Sequence, residues 1–520
     1  MNIHLYKGFL YSFLAVTLIG VSSCTNSILD EINEDVNHST TMAPGFIITD
    51  IETSTAFDIV GSDYNTYAAI AIEHEAGVYG QMYQYDLRLT GPEDPSTYNN
   101  MWSTQYNLLY DCKDVIEQCT DGDYVGYYLT RGIAKTMLAY NLALLTDLFG
   151  DVPWSQALDF ATYMQPDLDA QEDIYDDVFA YLDEALEDVA LGDAVNISSQ
   201  DLIYGGDADL WTKAIYGLKA RYTMRLLNRS SDQSSDLNKV IEYVNMSFSS
   251  ASEQMEFDHY DASTFYNPYY AFCRSRDYFG LSESLANKLI ERNDPRAQQT
   301  FINTSYEIIT PDSEDYLPTP NGESSEVQGY YNQFACNWSE CAPTLLLSYH
   351  ELLFLKAEAE ARLGQDASAT LQAAMEAAFD NLAESVDAAI NSTFSKKVSG
   401  TCTLSSADVA DYFESDVLPL YKTNPVKEIM VQKYLAFWGA SGESVEAYND
   451  IRRLKGEGND DYVELVNPNN AVTQAHPSGQ FIYRYVYGSD DTTTNTYVYE
   501  AYGDGSYVYS DPVWWAGGTR

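Results

Sequence analysis

Histidine is scarce in this chain, six in 520 residues, and neither HExxH nor CxxC occurs, so no metal or other cofactor is expected. Basic residues are few as well. Against 78 Asp and Glu stand 28 Lys and Arg, a formal charge of −50, and a field of that sign repels phosphate backbones, which argues against nucleic acid as a partner. After residue 25 no apolar run approaches the ~20 residues that cross a bilayer. Gly-x-Ser-x-Gly, the phosphate loop and the dinucleotide fingerprint are all missing, so nothing specific points to an enzyme. What the chain does have is a 45% hydrophobic share, enough for a sizeable core, and a 14% aromatic share made of 44 Tyr, 20 Phe and 7 Trp.

The first residues read as an export signal: Lys7, the apolar run from Phe9 to Ile19, then Val21-Ser22-Ser23-Cys24. The run is too short for an anchor helix. Small residues directly before Cys24 match a bacterial lipobox, in which the thiol is diacylated and becomes the new N-terminus, and several acyl chains on one residue anchor stably. The expected organisation is a signal peptide over 1–23, a lipidated N-terminus and polar tether over 24–41, and a single domain over 42–520. The other cysteines, Cys112, Cys119, Cys273, Cys336, Cys341 and Cys402, permit disulfides in an exported protein. Cys336 and Cys341 are spaced for a small stapled loop, whereas Cys112 and Cys119 can pair only if a helix ends between them.

Apolar residues at helical spacing mark neighbouring pairs of segments. Tyr127 to Phe149 carries Leu129, Ile133, Met137, Tyr140, Leu144 and Leu148 on one stripe and stops at Gly150-Asp151-Val152-Pro153; Gln171 to Leu191 repeats the pattern. A second pair is Asp209 to Asn228 with Ser235 to Met246, a third Tyr349 to Leu363 with Asp366 to Val386, and a fourth Pro425 to Gly439 with Glu443 to Leu454. Small residues in Ala357-Glu358-Ala359-Glu360-Ala361 and the following Gly364 suit a tetratricopeptide-like hairpin. The expected fold is all-α: about four degenerate tetratricopeptide-like pairs with long irregular loops. Past Gln480 the alternating runs Phe481 to Tyr487 and Thr496 to Glu500 read as short strands, a small C-terminal β element.

Together these pieces resemble the SusD/RagB family of outer-membrane nutrient-binding lipoproteins across nearly the whole chain. The marks that carry the resemblance are Cys24; Asn33-Glu34-Asp35-Val36-Asn37; Asp147 to Trp154 followed by Ala157-Leu158; Trp211 through Arg221 and Arg225; and Asn293-Asp294-Pro295-Arg296. Glu351 with Ala357-Glu358-Ala359, Gln432-Lys433-Tyr434, and Tyr448 to Arg453 complete the set. Each is weak alone; their joint order is specific. The resemblance implies a lipid-anchored, surface-exposed outer-membrane protein that captures a nutrient, most often an oligosaccharide, and passes it to a SusC-type TonB-dependent barrel transporter, with no chemistry of its own. Ligand contacts vary within the family, so no site residue is carried over from it.

Sugars present apolar C–H faces ringed by hydroxyls, so their capture needs aromatic platforms beside amides, carboxylates or Arg. Three loop segments combine these: Tyr79 to Tyr85, Tyr266 to Arg276, and Gly329 to Trp338. From them the candidate ligand-binding residues are Trp338, Tyr330, Tyr331, Tyr269, Arg276 and Tyr83. Trp338 is placed first because it sits in the polar loop between Cys336 and Cys341, where no helical stripe demands a ring. Trp102, Trp154, Trp211, Trp438, Trp514 and Trp515 read as packing, and Arg452-Arg453 and Asp294/Arg296 as structural. The alternative to a glycan binder is a tetratricopeptide-like surface lipoprotein that binds peptide or protein. A surface glycosidase would require two carboxylates facing each other across a cleft at about 5–10 Å.

Overall fold

The computed structural model describes residues 42–520 apart from Phe160, residues 394–396 and Ala440. The expected signal peptide, Cys24 and tether lie outside the described residues.

The scaffold is helical. It opens with α1 (Pro44–Ser54), α2 (Asp63–Ala71) and the short α3 (Gly80–Asp86), followed by the long α4 (Asn99–Thr120), α5 (Tyr128–Phe149) and α6 (Gln171–Leu191). Next come α7 (Ala208–Arg225), α8 (Gln233–Met246), α9 (Pro268–Arg276) and α10 (Glu283–Glu291), then α11 (Tyr349–Arg362), α12 (Ser368–Ile390), α13 (Ser406–Tyr412), α14 (Leu418–Thr423), α15 (Pro425–Ala436) and α16 (Ser444–Glu457). Two short helices, α17 (Ser489–Thr494) and α18 (Thr496–Tyr502), lie near the C-terminus. Strands are minor: β1 (Ala76–Gly77) pairs antiparallel with β3 (Phe279–Gly280), β2 (Met255–Phe257) with β7 (Thr344–Leu347), and β4 (Phe301–Ile302) sits between β5 (Ile308–Ile309) and β6 (Gln333–Phe334).

The first three expected pairs form as read, α5 against α6, α7 against α8 and α11 against α12. The signals that open and close them are local. Asp207, Asp232, Ser348 and Asn424 cap the starts of α7, α8, α11 and α15 by accepting backbone N–H groups. Gly150 ends α5 at φ +83°, where a Cβ would lie 2.5 Å from the Arg484 guanidinium. The fourth pair is looser. Its members touch one another less than α15 touches α11 and α16 touches α2, so the last repeat opens to receive the N-terminal helices.

Buried ions lock the pairs together. Arg221 of α7 binds Glu351 of α11 at 2.7 and 2.5 Å. Arg225 reaches Glu446 of α16 and, at 3.4 Å, Asp147 of α5. Arg453 of α16 meets Glu358 of α11 at 2.8 Å, and Lys433 of α15 meets Asp450 at 2.6 Å. Many of the charged residues that mark the resemblance are spent here, and others are buried nearby: Arg452 donates to the Asp147 carbonyl at 2.7 Å, and Arg296 is held by Asp294 at 2.9 and 2.6 Å.

Two expectations are corrected. No β element forms past Gln480. Residues 481–487 are irregular, with a bend at Arg484, and their backbone partners are scattered carbonyls: the Tyr485 N–H donates to Leu148 at the end of α5 and the Tyr483 N–H to Val508. Thr496–Tyr502 is helix α18, opened by the Asn495 side chain, which accepts the Tyr497 N–H; an Asn cap outweighs a five-residue alternation. Nor does a disulfide bridge Cys336 and Cys341, the first buried and the second an exposed thiol. Cys112 and Cys119 are buried thiols on one unbroken helix, α4.

Candidate functional site

The three aromatic segments, some 250 residues apart at their extremes, meet at the β1–β3 pair. The Val78 N–H donates to the Tyr278 carbonyl at 2.8 Å, and the Val78 carbonyl accepts from the Val327 N–H at 2.8 Å. Residues before α3, after α9 and before β6 are thus stitched side by side. Two side-chain bonds tighten the seam: the Gln328 amide donates to the Arg276 carbonyl and the Gln333 amide to Asp277, each at 2.5 Å. Gly80 closes the first turn at φ +54°, and a Cβ there would press on the Tyr278 ring at 3.0 Å. Asp277 takes the left-handed conformation (φ +54°) that ends α9.

On this seam rings face solvent. Tyr79 is 37% exposed and lies 5.5 Å from the half-buried Tyr278; Tyr330 is 53% exposed and meets Tyr331 edge-on at 4.9 Å. The Tyr331 hydroxyl accepts the Ser325 N–H at 3.2 Å, which fixes that ring's tilt. Arg276, Gln81 and Gln328 are exposed beside them, and Tyr83 is half-buried one turn into α3. The result is a surface of tyrosine faces fringed by a guanidinium and two amides, suited to C–H faces and hydroxyls.

Of the expected residues, Tyr330, Tyr331, Arg276 and Tyr83 adjoin this seam. Trp338 and Tyr269 present no face to solvent: each is 1% exposed. Trp338 lies in a one-turn 3-10 helix, Ala335–Trp338, packed on α9 and α12. Its ring meets Tyr306 at 4.5 Å and its N–H donates to Gln333 at 2.8 Å. A tertiary contact that local periodicity does not register demands that ring. Tyr269 stacks on Phe279 at 5.3 Å and supports the seam from below. Sequence reasoning passed over Tyr79 and Tyr278 as individual residues. Gly77 and Gly80 flanking Tyr79 were the available signal, since two glycines so close mark a backbone turn that pushes the ring between them outward.

Beneath the seam lie buried ionisable groups. His74 is held neutral, its pKa pushed down to about 3 by burial, and its ring nitrogens meet Ser444 at 2.9 Å and the Tyr434 carbonyl at 3.0 Å. Burial pushes Glu75 up to about 8; the Asn337 amide donates to it at 2.7 Å. Among the described residues no group of three or more His, Cys, Asp or Glu is placed to hold a metal ion, and no helix is long and apolar enough to cross a membrane.

Comparison with known proteins agrees with this architecture. A family model described as SusD-like, starch-binding associating with outer membrane, matches residues 36–488. A solved SusD/RagB family protein from Bacteroides thetaiotaomicron is 44% identical, superposes with a TM-score of 0.88 and is covered over its whole length by 92% of this chain. A chitin-binding protein (21% identity, TM-score 0.70, 91% of this chain and 99% of that one) and a SusD homologue from Bacteroides fragilis (19%, 0.67, 89% and 96%) share the fold. No curated protein matches. With the helix pairs, their buried ion pairs and a match over most of its length, the chain belongs to the SusD/RagB family.

Proposed function

We propose that this protein is a glycan-binding component of an outer-membrane uptake system, one that binds its ligand and does not cleave it. The observation that carries the reading is the convergence of three separate loops on one solvent-facing tyrosine surface, built on the β1–β3 seam and fringed by Arg276, Gln81 and Gln328. Soluble proteins seldom expose rings in contiguous groups without a partner for them. The family description, starch-binding and associating with the outer membrane, supports the ligand class and the location. In this reading the mature chain is one domain over 42–520, tethered through residues 24–41 and a diacylated Cys24, and it delivers glycan to a SusC-type barrel transporter. The Asp277 carboxylate, next to the rings, is engaged by Gln333, which favours positioning over acid–base work.

Affinity electrophoresis of the form beginning after Cys24, in gels cast with a panel of polysaccharides including soluble starch, tests the proposal. The expected result is retardation by one glycan that falls at least tenfold in Tyr330→Ala, at unchanged thermal midpoint. Trp338→Ala serves as a contrast and is expected to lower stability by about 3–5 kcal/mol. Retardation by none of the panel, with folding intact, overturns the glycan reading and turns the search to peptide ligands.

A further inference from the structure

A second pocket opens on quite different elements. Its walls are the edge of α4 from Trp102 to Asn107, the stretches Pro153 to Leu158 and Tyr163 to Pro166, and the start of α17; the cavity measures about 270 Å³. The floor is apolar, with Pro153, Ala157 and Leu158. At the rim Tyr163 is 41% and Met164 90% exposed, the latter an unusual position for so large an apolar side chain.

The loop is not slack. Asp169 accepts the N–H groups of Trp154 and Ser155 at 2.8 and 2.9 Å. Gln156 and Asp167 clasp each other at 2.9 and 3.1 Å, and Asn495 donates to the Pro166 carbonyl at 2.8 Å. Leu158 is held at φ +69°, a left-handed conformation that a branched residue adopts only when its surroundings impose it. With both ends of this stretch held in this way, Tyr163 and Met164 still stand in water, a rim suited to an occupant.

The polar groups indicate which occupant. Ser103, Asn107 and Asp490 line the pocket and are exposed, and their side chains make no hydrogen bond to the described residues. Asp491 is different: the Trp102 indole donates to it at 2.5 Å, which sets the inner wall. A hydroxyl, an amide and a carboxylate beside tyrosine rings match a neutral ligand rich in hydroxyls, and no cation lines the pocket to meet an anionic one. A volume just below the usual range of ligand pockets, about 300–1,000 Å³, suits a single sugar ring or chain end.

We infer that this pocket, formed by α4, the stretches Pro153 to Leu158 and Tyr163 to Pro166, and Asp490, is a second binding site for a neutral pyranose of the same glycan. The inference rests on the glycan reading above. Two weak sites on one molecule raise its hold on a long polymer well beyond either alone.

The test uses the same gels. Tyr330→Ala with Tyr331→Ala is expected to leave residual retardation by the glycan that retards the unmodified protein. Adding Tyr163→Ala and Asn107→Ala is expected to remove it, and Asp490→Asn alone to weaken it, with thermal midpoints held to within a few degrees. Loss of all retardation in the Tyr330/Tyr331 variant, or residual retardation indifferent to Tyr163, Asn107 and Asp490, overturns the second site while leaving the first. If the unmodified protein is retarded by nothing, the glycan reading itself falls and this inference with it.

Discussion

Glu75 carries a carboxyl into the interior directly beneath the tyrosine seam, with Asn337, Tyr269 and Cys273 around it. Burial raises its folded pKa from 4.5 to about 8, so between those values the native chain keeps a proton that the unfolded chain has released. Stability therefore falls as pH rises through that window, by a few kcal/mol for a shift of this order. Asp86, pushed up to about 7 by burial, adds to the same slope. Glu75→Gln removes this residue's part of it: in urea unfolding the variant is expected to gain on the unmodified protein from pH 5 to about pH 8 and to gain no further above that. Parallel pH profiles for the two would show that the carboxyl is already ionised in the native state. At this scale the sequence was legible where residues answer to their own neighbours. Trp102, Trp154, Trp211 and Trp438 are buried as their apolar stripes require, and Trp515 is buried as packing at the chain end. Trp338 was misread because the partner that buries its face, Tyr306, lies 32 positions away in another loop.

Among elements, what joins the helix pairs is charge set into apolar surroundings. Arg221 and Glu351 are both nearly inaccessible, with side chains 5% and 1% exposed. Removing one partner leaves the other charged, buried and uncompensated, so Arg221→Met alone is expected to cost about 3–5 kcal/mol; Arg221→Met with Glu351→Leu is expected to recover most of that. Chemical unfolding of the two variants measures the difference, and a double variant as unstable as the single one would mean the pair contributes more than it costs to bury. Helix pairs were readable because 3.6-residue periodicity and capping residues are written locally. The C-terminal segment was not. Alternation over Phe481–Tyr487 reads as a strand, yet whether such a segment becomes one depends on a neighbour, and here the neighbours are a helix end and a loop.

The whole molecule carries a charge of −50, and charges of one sign on a compact body repel one another. Raising sodium chloride from about 10 to 300 mM shortens the reach of that repulsion from roughly 30 Å to under 10 Å, so the thermal midpoint is expected to climb with salt. The same field selects among ligands. Neutral polysaccharides are expected to retard the protein at low salt, and polygalacturonate and heparin are not; strong retardation by either polyanion would mean that Arg276 and its surroundings dominate locally over the net charge. Family membership was visible in the sequence because its marks include Asp147, Arg221, Arg225, Glu351, Glu358 and Arg453, which form the buried ion pairs between helices. The ligand surface was only half visible, since its segments stand out by composition while their meeting depends on the fold.

The seam that gathers the rings is made of two-residue strands and a handful of backbone bonds, and it shares no residue with the ion pairs that hold the helices. The surface rings of its three loops, Tyr79, Tyr330 and Tyr331 among them, can change without breaking one of those ion pairs. Novelty in what is recognised is thereby decoupled from the risk of unfolding, and one inherited framework can diversify its recognition surface a loop at a time.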